Sequence, residues 1–141
     1  MIEPAPGGRA TVTCPYGGSI KVAGAIAGNV QALLDAAAAA GVSLCASSGW
    51  RSPEQQIELR RAHCGTSNYA IYQMPASQCT PPTARPGSSM HERGLAVDFS
   101  CNGGGAIRRG NSCWNFLVAH ANDYGLYNLP SESWHWSTTG Q

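Results

Sequence analysis

Apolar and polar positions alternate along this chain with two different periods. Val30, Leu33, Leu34 and Ala37 recur at the three- and four-residue spacing of one helical stripe, which predicts a helix from about Ala25 to Ala40 that Gly41 stops. Upstream of it, Ser19 to Val22 behind Gly17 and Gly18 has the pattern of a short strand, and Val42 to Ala46 downstream that of a buried one. Ser52-Pro53-Glu54-Gln55 carries a helix start: Ser52 caps, Pro53 takes the first position and Gln55 closes the capping box, so a helix from Pro53 to about His63 follows. In Gly94 to Phe99 the period changes to two, with Leu95, Val97 and Phe99 on one face and Ala96 and Asp98 on the other. Helical spacing returns through Phe116, Leu117 and His120, predicting a helix from Cys113 to Tyr124 ended by Gly125, and Trp134-His135-Trp136 reads as a last strand. Cys64 to Ser88 has four prolines and no period, far longer than an ordinary connection, so it is expected to be functional, stapled by cysteines, or both.

This order of elements predicts an α+β fold, a small antiparallel sheet flanked by helices. At 141 residues the chain fits one domain, 1–141, with residues 1–17 as an N-terminal extension. Charged residues are 12% of the total and the net charge is +1, which offers no electrostatic footprint for nucleic acid or for an anionic membrane surface. No apolar run approaches the roughly 20 residues that a membrane helix needs, so no membrane insertion is expected.

Six cysteines change the picture further. Cys14, Cys45, Cys64, Cys79, Cys101 and Cys113 include no Cys-x-x-Cys pair, which speaks against a thiolate zinc site or a redox motif and for disulfides. Disulfides place the protein in an oxidising compartment, secreted or otherwise extracytoplasmic, in the cell wall or a periplasm. The simplest of fifteen connectivities is the sequential one: Cys14 to Cys45, Cys64 to Cys79 and Cys101 to Cys113.

Candidate chemistry lies in two separated segments. Ser89-Met90-His91-Glu92-Arg93-Gly94-Leu95-Ala96-Val97-Asp98 sets an imidazole before a glycine-permitted turn and a carboxylate on the strand leaving it. Glu132-Ser133-Trp134-His135 supplies a second imidazole with a carboxylate three residues earlier. Two histidines and one aspartate make a three-ligand set for catalytic zinc, with a fourth position open to water, and Glu132 would be the spare base. Each residue alone proves little: a single His or Asp is more often a hydrogen-bonded residue than a ligand, and the four tryptophans are core aromatics by default. His63 and His120 fit that bland reading and serve as controls.

Taken together, Ser89-x-His91-x-x-Gly94-x-Ala96-x-Asp98 and Glu132-x-Trp134-His135 resemble the signature of the VanY-type zinc D-alanyl-D-alanine carboxypeptidases, which belong with lysostaphin-like and hedgehog-like metallopeptidases. Ser48-Gly49-Trp50-Arg51-Ser52 with Gln56 resembles an earlier element of that family, with Trp50 in place of its usual tyrosine. The resemblance covers roughly Leu33 to Trp136. It implies zinc held by His91, Asp98 and His135, Glu132 as catalytic base, Arg51 stabilising the oxyanion, and Gln56, Ser89 and Trp134 lining the substrate site. It implies a monomeric enzyme that takes a peptidoglycan peptide and removes the terminal residue of a D-Ala-D-Ala end. Endopeptidase action with the same zinc site, and a non-catalytic zinc-containing cell-wall binding domain, are the alternatives; the presence of Glu132 counts against the second. A serine or cysteine hydrolase ranks last, because the chain has no Gly-x-Ser-x-Gly elbow and its cysteines are better used as disulfides.

Overall fold

In a computed structural model, which describes residues 8–141, six strands and four helices follow one another in mixed order. Strand β1 is Arg9–Thr13 and β2 is Ser19–Ala23; they pair antiparallel as a separate hairpin. Helix α1 spans Gly24–Ala39 and buries Ile26, Ala27, Val30, Leu33, Leu34 and Ala37, the stripe that the spacing predicts. It ends where Gly41 adopts φ +77°, a conformation that costs glycine no side-chain clash. Helix α2, Pro53–His63, has the full capping box: the Ser52 hydroxyl accepts from the Gln55 amide while the Gln55 side chain accepts from the Ser52 amide.

The main sheet is four-stranded and antiparallel. Strand β3 is Leu44–Ser48, β4 Ala96–Cys101, β5 Tyr127–Leu129 and β6 Glu132–Ser137, in the order β3-β4-β6-β5. One face carries Val97, Phe99 and Trp136 into a core shared with α1 and with α4, Ser112–His120, whose Leu117 is fully buried. That apolar burial is the main stabilising term of the fold. The opposite face is left for polar side chains, and the functional candidates stand on it.

Four differences from the expected elements have physical causes. Two strands begin two residues later than their patterns suggest, at Leu44 and Ala96, because pairing of Leu44 with Cys101 and of Ala96 with Ser137 sets where the ladder starts. The fourth helix turns into a 3-10 turn over Ala121–Tyr124, and Gly125 at φ +78° stops it. Residues 1–17, read from sequence as an extension, contain β1, whose brief alternation of Ala10 and Val12 with Arg9, Thr11 and Thr13 is completed by pairing with β2; residues 1–7 of that stretch lie outside the described residues. Inside the proline-rich segment a short helix α3, Asn68–Tyr72, is capped by Ser67, and β5 is only three residues long. Elements this short carry too few apolar positions to show a period.

The cysteines pair sequentially, Cys14 with Cys45, Cys64 with Cys79 and Cys101 with Cys113, and among the described residues no cysteine is free. No described helix is long and apolar enough to cross a membrane.

Candidate metal centre

Register in the sheet brings the cluster together. Asp98 on β4 lies directly opposite His135 on β6 and opposite Ser48 on β3, so a single row across three strands holds all three side chains on the polar face. His91 arrives from the turn before β4, where Glu92, Arg93 and Gly94 amides donate to the carbonyls of Ser89, Met90 and His91. Gly94 closes that turn at φ +74°, and a Cβ there would come within 2.7 Å of the Ala23 amide nitrogen. Gly49 is equally constrained, because its Cβ would meet the Lys21 carbonyl oxygen at 2.3 Å. The β1–β2 hairpin therefore packs against both glycines that frame the centre, with Ala23 and Trp50 amides bonded across the contact.

His91, Asp98 and His135 each point one ligand atom inward, and these atoms all lie within 4.8 Å of one another. His91 Nε2 and His135 Nδ1 both stand 3.1 Å from the same oxygen, Asp98 Oδ1. The other nitrogen of each ring is committed to a carbonyl: His91 Nδ1 to Gly49 at 2.7 Å and His135 Nε2 to Gln141 at 2.7 Å. A carbonyl only accepts, so each of those nitrogens carries the ring hydrogen, and in a neutral imidazole the inward nitrogen then holds a lone pair. Two lone pairs and a carboxylate oxygen converging on one point repel unless a cation sits between them. The donor set, two imidazoles and one carboxylate oriented by carbonyls behind them, fits zinc.

Without a metal, protons take that part. Burial works against charge on Asp98, but hydrogen bonds from His135 and His91 outweigh it and hold its carboxyl well below the ordinary carboxylate range. Burial likewise opposes the charge on His135, yet the Asp98 hydrogen bond and charge raise its pKa above the usual 6.5. Asp98 Oδ2 accepts from the Ser48 hydroxyl at 3.1 Å, which fixes the carboxylate plane.

The other candidates stand around this cluster in one cavity of about 580 Å³, lined among others by Arg51, Gln56, Ser89, Glu132 and Trp134. Glu132, first residue of β6, is half-buried; burial pushes its carboxyl above 4.5, with Asp98 adding to the rise and His135, His91 and Arg51 opposing it. Arg51 lies 3.9 Å from Asp98 Oδ2 and donates from Nη1 to Gln56 Oε1 at 2.9 Å. Gln56 is buried and gives its amide hydrogen to the Ala84 carbonyl, so both ends of its side chain are occupied and it aims Arg51 as much as it lines the cavity. The Ser89 hydroxyl accepts from the His91 amide at 3.2 Å. Of the controls, His120 is exposed against Phe116, whereas His63 lines the same cavity.

Residues 19–141 match the model of the VanY family, D-alanyl-D-alanine carboxypeptidase. The chain belongs to the VanY family. A D-alanyl-D-alanine carboxypeptidase of Enterococcus faecalis is 31% identical over 125 residues, aligned with 79% of this chain and 46% of its own length. The chain thus spans about half of that curated relative. Among solved structures, a mutant of the vancomycin-resistance D,D-pentapeptidase VanY in complex with zinc superposes with a TM-score of 0.64 at 25% identity, covering 95% of this chain and 80% of that one. An L,D-carboxypeptidase, DacB of Streptococcus pneumoniae, gives 0.55 at 28% identity over 78% of this chain and 62% of that one. The zinc-bound relative agrees with the α+β architecture and with zinc as the cofactor of a VanY-family chain.

Two residues at this VanY-family site escaped sequence reading. Glu92 is 2% exposed, and its carboxylate accepts the amides of Gly87 at 2.9 and 3.0 Å and Ser89 at 3.3 Å, tying down the loop that presents His91. Gln141 contributes only a backbone carbonyl, which no side-chain pattern can reveal. The motif did place a Glu directly after His91, but as a charged residue next to an arginine it reads as solvated.

Proposed function

We propose that the protein is a zinc-dependent peptidase acting on peptidoglycan stem peptides, a D,D-carboxypeptidase that removes the last residue of a D-Ala-D-Ala end. The observation that carries this reading is the arrangement of His91, Asp98 and His135, lone pairs converging beside an unpaired carboxylate, Glu132, in one cleft. Family membership and the names of the relatives support the substrate class. Bound at these three ligands, zinc would supply Lewis acidity, making a water acidic near pH 7 and polarising the scissile carbonyl. Glu132, half-buried and with a carboxylate free of protein hydrogen-bond partners among the described residues, takes a proton and later returns it to the leaving amine. Its raised pKa narrows the gap between accepting and donating. Arg51, aimed by Gln56 and charge-balanced by Asp98, supplies donors to the developing oxyanion. Ser89 and Trp134 border the place where substrate would lie. The three disulfides and the cell-wall substrate support extracytoplasmic action, and the chain is read as a single domain working as a monomer.

The test is a comparison of zinc content and turnover for wild type and Glu132→Gln on pentapeptides ending in D-Ala-D-Ala, on tetrapeptides with one terminal D-Ala, and on cross-linked stem peptides. Glu132→Gln should keep fold and metal and lose about 10² to 10⁴ in rate. Turnover of the tetrapeptide alone would make the activity L,D-specific, as in the pneumococcal relative. Cleavage only of cross-linked peptides would make it an endopeptidase, and cell-wall binding with no cleavage a binding domain.

A further inference from the structure

Glu132 and His135 both line the cleft, although they stand three residues apart on β6. In a regular strand successive side chains alternate, so residues an odd number apart point to opposite faces of the sheet. Pairing with β5 shows how both reach one side. Tyr127 lies opposite Ser137 and Asn128 opposite Trp136, but the next residue, Leu129, lies opposite Glu132, so one step along β5 answers four along β6. Ser133, Trp134 and His135 bulge out of the β5–β6 ladder, and the bulge breaks the alternation between the two residues of the site.

Residues outside a ladder have lost their strand partners, and carbonyls shielded from water need other donors. Asn128 supplies two. Its side-chain Nδ2 lies 3.0 Å from the Glu132 carbonyl and 3.1 Å from the His135 carbonyl. Carbonyls only accept, so the NH2 and not the amide oxygen faces them, and both of its hydrogens are used, one at each end of the bulge. Between them the Trp136 indole donates to the Ser133 carbonyl at 3.0 Å, and the Ser133 hydroxyl donates to the Ile107 carbonyl. The two ends are not held alike. His135 is also fixed by its pairing with Asp98 on β4 and by the Gln141 carbonyl behind its ring, whereas the strand pairing of Glu132 among the described residues is with Leu129 alone, across the shift in register.

We infer that Asn128 is a positioning residue for catalysis: by holding the Glu132 and His135 carbonyls to one amide, it fixes the bulge that turns the Glu132 carboxylate into the cleft beside the metal ligands. Asn128 itself does not line the cleft, so it acts through Glu132 and not on substrate. Because His135 has other supports, loss of the amide should release Glu132 and leave the ligand set in place. The inference rests on the role of Glu132 proposed above.

The experiment compares zinc-loaded wild type with Asn128→Ala and with Asn128→Gln, which keeps two donors on a longer arm. In Asn128→Ala, zinc content and zinc affinity in a chelator competition should match wild type. Its kcat on a pentapeptide ending in D-Ala-D-Ala should fall by about 10- to 100-fold with KM little changed, the scale expected when a group that acts in the transition state is misplaced by about 1 Å. Asn128→Gln should recover part of that loss. In a Glu132→Gln background Asn128→Ala should add little, because two changes that act through one group are not additive. A crystal structure of Asn128→Ala should show the Glu132 carboxylate displaced, with His91, Asp98 and His135 in place. An unmoved Glu132, an undiminished kcat, or a loss in the Glu132→Gln background as large as in wild type would each overturn the inference. Loss of zinc from an Asn128→Ala protein that is folded by circular dichroism would overturn it too, making Asn128 a support of the ligand instead. Asn128→Asp, the same shape without the NH2, carries the same expectations and stands in if Asn128→Ala does not fold. If the wild type binds zinc and cleaves no peptide, the carboxypeptidase reading fails, while the position of Glu132 in the variant crystal still decides this inference.

Discussion

The metal cluster and the segment from Cys64 to Ser88 face each other across one cleft, yet different forces hold them. Asp98 and His135 are paired residues of adjacent strands, so sheet register places them, and carbonyls of Gly49 and Gln141 orient the imidazoles. The facing segment has one five-residue α-helix, a 3-10 turn at Ala76–Gln78 and no strand. Buried Arg60 organises it: its guanidinium donates to the carbonyls of Ile71 at 2.9 Å, Thr83 at 2.6 Å, and Ala70 and Met74 at 2.7 Å each. An arginine with no carboxylate partner is thus satisfied wholly by backbone acceptors, two of them at the C-terminal end of α3 and one just past it, where the helix dipole favours a cation. A site can be built by register on one side and by a single buried cation plus a cross-link on the other. The first wall tolerates little change in position, whereas the second can vary in sequence as long as its carbonyls reach Arg60.

Asp98→Ala offers the largest effect, because it removes a proposed ligand from the register-built wall. Zinc should fall far below one per chain by elemental analysis and turnover should disappear, while His120→Ala leaves both unchanged; a zinc-replete Asp98→Ala protein would contradict the ligand assignment. Arg60→Met should strike the other wall. Each orphaned buried acceptor costs roughly 1 to 3 kcal/mol, so four of them should lower unfolding free energy by at least about 4 kcal/mol in a denaturant titration. Faster proteolysis within residues 64–88 than elsewhere should accompany it, and an unchanged cleavage pattern would show that Arg60 does not organise that segment.

Replacing Cys64 and Cys79 together by serine should cost about 3 kcal/mol, the chain-entropy value for a loop of this length, while the protein still binds zinc. Loss of zinc in that variant would mean that the two walls are not independent. The smallest effect is on pH dependence. His135 is raised above 6.5 in the metal-free protein, so protons compete with zinc from a higher pH than for an isolated histidine. Zinc affinity should decline as pH falls through that raised value, by up to about tenfold per pH unit for one competing proton. The same shift contributes stability to the metal-free protein that is fully present below 6.5 and lost as pH rises through the raised value. A zinc affinity flat from pH 8 to 6 would show that His135 is not a ligand.

Local signals in the sequence determined a good deal of this protein: the apolar stripe of α1, the capping box of α2, the alternation of β4 that turns Asp98 away from Val97 and Phe99, and the two motifs bearing His91, Asp98, Glu132 and His135. These are legible because each depends on neighbours within one or two turns, or on residue types that little else explains. Tertiary structure alone decided which nitrogen of each imidazole faces inward, since the orienting carbonyls come from Gly49, 42 residues from His91, and from Gln141. It decided the pairing of β1 with β2, the burial of Glu92 and Arg60, and the placing of His63, a histidine with nothing unusual around it in sequence, in the same cavity as the metal cluster. Backbone carbonyls are the same in every residue, so what they hold in place depends on the path of the chain and leaves no trace in the side-chain pattern.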